Sequence, residues 1–268
     1  MAVRFDAADD RIYFQATLPN PATTGLTVLG WWRIRVDLDN FETFYRTETS
    51  ASGTIHTCAT YEAGTDVNVF TTAGELNSLY GAPVDEWFAV AVVDNGSGVT
   101  LYVRPEGGST IVTSGSIGSA TPAQICIGGR SNDDDNEYLD GNAAYVRVFA
   151  DALTQAEVEA EWDSPTAVLT AWADWPLATA TDLTDHSGNG RDMTPVGAGP
   201  TTETGPPVSA APGPAPDTVF DLSNWHLTTP AEDPDDGDAE QIDQPELATY
   251  ASDFFYLDEF NRMVCVAP

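Results

Sequence analysis

Carboxylate and amide oxygens are the most plentiful chemical groups in this sequence, and they come in runs. Asn132-Asp133-Asp134-Asp135-Asn136-Glu137 is a row of hard oxygen ligands, the kind that suits Ca²⁺. Asp133, Asp134 and Asp135 are therefore calcium candidates, and calcium is the one cofactor the sequence suggests. The run lacks the glycine at the sixth position of an EF-hand loop, and adjacent side chains cannot all converge on one ion. A solvated acidic loop is the competing reading, and it applies equally to Asp233-Pro234-Asp235-Asp236-Gly237-Asp238. A second calcium candidate is the turn Asp185-His186-Ser187-Gly188-Asn189-Gly190, which offers Asp185, Asn189 and backbone carbonyls.

Aromatic residues are the other groups with a possible ligand, since a sugar ring stacks on a flat side chain. Trp31 and Trp32 are neighbours in an apolar stretch, so on a strand they face opposite sides of the sheet. One belongs to the core; the other is either packing or a platform, with Tyr45, Tyr61 and Tyr138 as possible companions. His56, His186 and His226 each stand apart from any nucleophile in sequence, and neither a Gly-x-Ser-x-Gly elbow nor a His-Glu-x-x-His occurs. Cys58, Cys126 and Cys265 show no metal-ligand spacing. Buried free thiols suit the apolar stretches around Cys58 and Cys126, with a disulfide between those two as the alternative.

Short strands separated by turn residues must position these groups. Arg11–Ala16, Leu26–Arg35, Phe41–Arg46, Val67–Thr71, Trp87–Asp94, Val99–Arg104 and Ala143–Ala150 carry the strand pattern. Asp94-Asn95-Gly96-Ser97-Gly98 supplies a hairpin loop between two of them. A single helix is expected over Thr154–Trp162, with Thr154 and Glu157 spaced as a capping box. Ala167–Leu177 returns to a strand pattern. From Pro200 to Pro216, six prolines mix with small residues, a composition that builds no core and marks a linker. The reading is all-β: a sandwich over 1–199, a linker over 200–216, and an incomplete second β segment over 217–268.

Charge narrows the partners. The 268 residues hold 42 acids and 10 basic residues, all of them Arg, for a net charge of −32. Residues 217–268 alone carry 13 acids against Arg262, a balance of −12. A nucleic acid would be repelled unless an arginine cluster intervened. No apolar run is long enough for a membrane helix, and the opening residues lack the apolar stretch of a secretory signal.

The strands carry a resemblance. Val3-Arg4-Phe5-Asp6, Asp9-Asp10-Arg11-Ile12, Glu86-Trp87-Phe88-Ala89-Val90-Ala91-Val92, Leu101-Tyr102-Val103-Arg104, Ile125-Cys126-Ile127-Gly128-Gly129-Arg130 and Tyr145-Val146-Arg147-Val148-Phe149 stand in the order found in such modules. Over residues 3–163 the chain resembles the laminin-G-like, concanavalin-A-like jelly rolls. That resemblance implies two stacked antiparallel sheets and glycan or protein binding. The opening hairpin usual in such modules is matched only late, by Asp174-Trp175-Pro176-Leu177 and the turn from Asp185. The module therefore looks circularly permuted, a change tolerated where termini lie close together.

Residues 217–268 resemble something else. Phe220-Asp221-Leu222-Ser223-Asn224-Trp225 and Ala239-Glu240-Gln241-Ile242-Asp243-Gln244-Pro245-Glu246-Leu247 are similar to the opening segment of alginate-lyase-type polysaccharide lyases. The Arg-x-Glu-Leu-Arg strand, the Gln-Ile-His strand and the Tyr-rich strand that carry catalysis there have no counterpart in this sequence. The expectation is a glycan- or surface-binding module without lyase activity of its own, at a virion surface (a phage tail, for instance) or outside the cell. A fragment of a secreted uronate lyase and a structural tail or adhesin protein with protein-only contacts are the alternatives. The expected partners are a polysaccharide or glycosylated surface and other virion proteins, with no nucleic acid and no membrane.

Overall fold

A computed structural model of the chain describes residues 1–6, 10–35, 42–49, 54–60, 66–71, 73–116, 120–129, 138–197 and 199–208, with the backbone of 255–257 and 263–265. Its strands in chain order are β1 (Ala2–Asp6), β2 (Arg11–Gln15), β3 (Leu26–Ile34), β4 (Glu42–Glu48), β5 (Thr54–Thr60), β6 (Asp66–Thr71) and β7 (Gly74–Gly81). Then come β8 (Phe88–Asp94), β9 (Val99–Pro105), β10 (Ile111–Gly115), β11 (Gln124–Ile127) and β12 (Asp140–Phe149), followed by the helix α1 (Gln155–Trp162). The late strands are β13 (Ala173–Trp175), β14 (Thr194–Val196), β15 (Thr201–Glu203), β16 (Phe255–Leu257) and β17 (Met263–Cys265).

Two antiparallel sheets form a sandwich. One has the order β10-β9-β8-β3-β12-β1-β15, with β13 also paired to β12; the other has the order β14-β2-β11-β4-β5-β6-β7. Alternation along each strand decides what lies between them. Val28, Trp32 and Ile34 of β3 meet Phe44, Cys58, Val69 and Ile125 of the facing sheet in one buried cluster. Trp32 stacks on Phe44 with centroids 5.6 Å apart. Burial of side chains this size contributes roughly 1.5–3 kcal/mol each.

One irregularity matters for the outer face. The register of β12 against β3 shifts between Ala144 and Arg147, where Tyr145 holds φ at +52°. The extra residue of a bulge reverses the alternation beyond it. Val146 and Val148 thus join the inter-sheet core, while Arg147 points outward under α1. The helix is capped as expected: Thr154 accepts from the Glu157 backbone and Glu157 returns to the Thr154 backbone. In the hairpin after β8, Asn95 Oδ1 accepts the amides of Ser97 and Gly98. Gly96 has φ at +79°, and a Cβ there would lie 2.5 Å from the Ala22 Cα, so no larger residue fits.

Two expectations need correction. The strand expected over Ala167–Leu177 is reduced to Ala173–Trp175, because the amides of Val168 and Leu169 are taken by the Glu161 carboxylate at 3.0 and 2.6 Å. The sandwich also runs past residue 199. Thr201–Glu203 pairs with Ala2–Arg4, Pro206 is buried and Val208 packs against the apolar cluster that contains Ala2, Trp31 and Trp162. The first residues assigned to the linker are therefore part of the fold, and the compact unit spans Met1–Ala211. The late strands β14 and β15 add to β2 and β1, in different sheets. In the second unit, Pro212–Pro268, β16 and β17 pair antiparallel.

Candidate functional site

Trp31 and Trp32 do face opposite ways, but neither offers a face to a sugar. Trp32 is fully buried between the sheets. Trp31 is sealed beneath α1, its indole N–H donating 3.0 Å to the Trp162 carbonyl. Tyr45 is enclosed beside Trp32, and burial pushes its hydroxyl pKa well up. All three are packing residues rather than platforms, because a stacking ring must be reachable. Tyr138 is half-buried just before β12, and Tyr61 lies outside the described residues.

The calcium candidates divide the same way. Asp133, Asp134 and Asp135 lie outside the described residues. Asp185 is spent on its own turn: its two oxygens accept the amides of Asp174, Ser187 and Arg191 and the Ser187 hydroxyl, at 2.9–3.0 Å. Burial pushes its pKa up, but these hydrogen bonds outweigh it and hold the pKa below the ordinary value. Asn189 donates to the Trp172 carbonyl at 3.1 Å. The geometry makes both residues organisers of a turn. Arg191 lies 3.9 Å above the Trp172 ring there. Cys58 and Cys126 are free and buried, as favoured. A bridge between them is excluded because β4 separates β5 from β11, placing them two strands apart.

Three polar clusters are sealed. His56 Nε2 sits 3.0 Å from Asp94 Oδ2 and Nδ1 3.2 Å from Thr47 Oγ1. The set has the residue types of a catalytic relay, but His56 and Asp94 are each 1% exposed, so it joins the sheets instead of meeting a substrate. On the outer face of the seven-stranded sheet, Arg46 pairs with Glu48 at 2.9 Å and Gln124 donates to Glu48 at 2.5 Å, all three buried. Arg147, under α1, donates to Asp174, Glu161 and the carbonyls of Glu161 and Ser164.

The partly open cluster lies at one end of the outer face of the eight-stranded sheet. The spacing Arg33-x-Arg35 puts both arginines on one face of the chain as it leaves β3. Register places Arg33 opposite Asn142, and Asn142 opposite Arg4, so a row crosses three strands. At the sheet edge β15 adds Glu203. Arg33 Nη2 and Arg35 Nη1 lie 2.8 and 2.9 Å from Glu203 Oε2, and Arg4 Nη1 lies 3.4 Å from Oε1. Exposures of 20%, 15% and 32% for Arg4, Arg33 and Arg35, and 29% for Glu203, leave the cluster open to solvent. Burial lowers the Arg33 pKa and neighbouring Arg35 lowers it further, with Glu203 and Asp85 opposing. Burial also raises the Asp140 pKa, against the pull of Arg4.

Sequence reasoning missed this site, although its signal was there: three of the ten cations sit at positions 4, 33 and 35. Their common partner lies 199 residues from Arg4, beyond the reach of any local pattern. A second feature is a shallow groove of about 270 Å³ lined by Asn95, Ser97, Thr100, Ser114 and Ser116, which holds hydroxyls and amides but neither charge nor ring. Among the described residues no helix is long and apolar enough to cross a membrane.

Comparison with known proteins gives a family and several relatives. The model of the concanavalin A-like lectin/glucanases superfamily matches residues 6–159. A Bacteroides ovatus structure assigned to carbohydrate binding superposes with a TM-score of 0.55 at 16% identity, covering 76% of this chain and 60% of that one. The heptameric SAP-like pentraxin of Limulus polyphemus gives 0.48 at 18% identity, over 59% and 79%. An alginate lyase of Klebsiella pneumoniae is 44% identical over 62 residues, 22% of this chain. That alignment spans only a fifth of the lyase's length.

Proposed function

The chain belongs to the concanavalin A-like lectin/glucanases superfamily, and on that premise we propose that its sandwich is a glycan-binding module using the arginine end of the eight-stranded sheet. The observation that carries the reading is the partly open set Arg4, Arg33 and Arg35, braced from within the sheet by the buried Asn142. Guanidinium groups are planar donors in fixed orientation, suited to the in-plane hydrogen bonds that sugar hydroxyls and carboxylates accept. The clusters around His56, Glu48 and Arg147 are sealed, and a sealed side chain cannot meet a polymer.

In this reading the module serves as the attachment part of a larger protein, outside the cell or on a virion surface. The likeness to an alginate lyase supports a polysaccharide as the target. The chain itself performs no lyase chemistry. Abstraction of a proton beside a uronate carboxylate needs a positioned base, an acid and cations around the carboxylate, and the catalytic strands of the resembling lyases have no counterpart in the sequence.

The test is retention of the full chain on immobilised neutral and acidic polysaccharides, beside an Arg33→Ala/Arg35→Ala variant. Binding by the parent chain and its loss in the variant are expected. No retention on any polysaccharide overturns the reading. Incubation with alginate should give no ultraviolet-absorbing unsaturated product; reproducible product would make the chain an enzyme.

A further inference from the structure

Three guanidiniums gather around the single carboxylate of Glu203, with Asp140 and Asp85 balancing Arg4 and Arg35. In a chain without Lys and with net charge −32, three of ten arginines converge on one carboxylate. Both oxygens are engaged, Oε1 by Arg4 and Oε2 by Arg33, Arg35 and the Asn142 amide. Such multiple guanidinium donation is how a carboxylate ligand is recognised.

Each donor is also held in place without Glu203. Arg33 donates through Nε and Nη2 to Asn142 Oδ1 at 3.1 and 2.9 Å, and its guanidinium lies 5.3 Å above the Trp87 ring. Arg4 pairs with Asp140 at 2.9 Å and donates Nε to the Phe5 carbonyl. Arg35 pairs with Asp85 at 3.3 Å, and the Asp85 backbone is itself pinned to the Ile34 carbonyl at 2.7 Å. Preorganised donors bind with less ordering cost. Glu203, by contrast, is a flexible side chain with part of its surface in water. It can swing outward while β15 stays paired to β1, because the backbone bonds of β15 do not involve its carboxylate.

We infer that this cluster is a binding site for the carboxylate of a uronate unit, and that Glu203 occupies it from within the chain and competes with the ligand. The inference rests on the glycan-binding reading above and names its substrate class. A strongly acidic protein repels an acidic polymer over much of its surface, and once Glu203 swings away the three arginines offset that repulsion locally.

The full chain and its Glu203→Gln variant are titrated by calorimetry with an alginate oligosaccharide, an uncharged cello-oligosaccharide and a sulfated oligosaccharide. Removing the competing charge should raise affinity for the uronate oligomer at least about tenfold and leave the uncharged one unchanged. Adding Arg33→Ala or, separately, the more exposed Arg35→Ala to the variant should abolish the gain, with melting curves showing that each protein is folded. Equal uronate affinity before and after Glu203→Gln overturns the inference. An equal gain for the sulfated chain overturns its assignment to carboxylates. Binding of the uncharged oligosaccharide with no gain for uronates sinks the inference but spares the glycan-binding reading, whereas absence of all binding sinks both.

Discussion

Arg147 and Glu203 organise two charged clusters on the outer face of one sheet, and their stoichiometries are opposite. At Arg147 a single guanidinium meets two carboxylates and two carbonyls, with no exposed surface. Its donors are consumed, and its partners Glu161 and Asp174 tie α1 and β13 to β12. At Glu203 one carboxylate meets three guanidiniums, each with a second anchor and part of its surface in water. The closed cluster is a lock on the fold. The open one, its three arginines balanced by Glu203, Asp140 and Asp85, keeps part of each guanidinium in water. The contrast teaches that counting ion pairs says little about function; whether water reaches the donors says more.

Breaking the lock should give the largest effect. Arg147→Met leaves the Glu161 and Asp174 carboxylates in a buried setting without their cation, a change that costs about 3–5 kcal/mol. Chemical denaturation should show a loss of that size; a change below about 1 kcal/mol would mean that the cluster is not a lock.

Alkaline pH probes the same kind of enclosure at buried thiol and phenol groups. Burial raises the pKa values of Cys58, Cys126 and Tyr45. The unfolded chain releases these protons first. Stability is thus full below the ordinary thiol value of about 8.5 and falls as pH rises above it, by up to about 1.4 kcal/mol per pH unit for each group. Melting midpoints measured from pH 7 to 10.5 should decline accordingly, and Cys58→Ala should flatten the decline.

A smaller loss is expected from the helix that covers the lock. Thr154→Ala removes the cap that accepts the Glu157 amide and should reduce stability by about 1 kcal/mol. Smallest of all is Glu203→Gln. Its pairs are partly in water, where ion pairs contribute little, so stability should change by no more than about 1 kcal/mol. If it falls as far as for Arg147→Met, the open cluster is a second lock, and the contrast between them disappears.

The described strands were largely legible because alternation and turn chemistry are local. Arg11–Gln15, Leu26–Ile34 and Val99–Pro105 lie within a residue of where the sequence places them. So is the capping box at Thr154. The failures are equally specific. Ala167–Leu177 reads as a strand, but the Glu161 carboxylate takes two of its amides. Residues 200–203 read as linker, although their three paired positions on β1 complete the sheet. In both cases the deciding partner is remote, and no local propensity reports it.

The sequence by itself determined the two-sheet sandwich, the opposite facings of Trp31 and Trp32 and the scarcity of cations. Each follows from alternation, residue type or charge count, which need no knowledge of distant neighbours. Only the tertiary structure decided which aromatics are sealed, that Asp185 and Asn189 build a turn, and that Arg4, Arg33 and Arg35 gather on Glu203. Those outcomes depend on strand order and register, which bring residues some two hundred positions apart to within 3.4 Å. Burial and ion pairing are properties of that packing, so they appear only once the sheets are assembled.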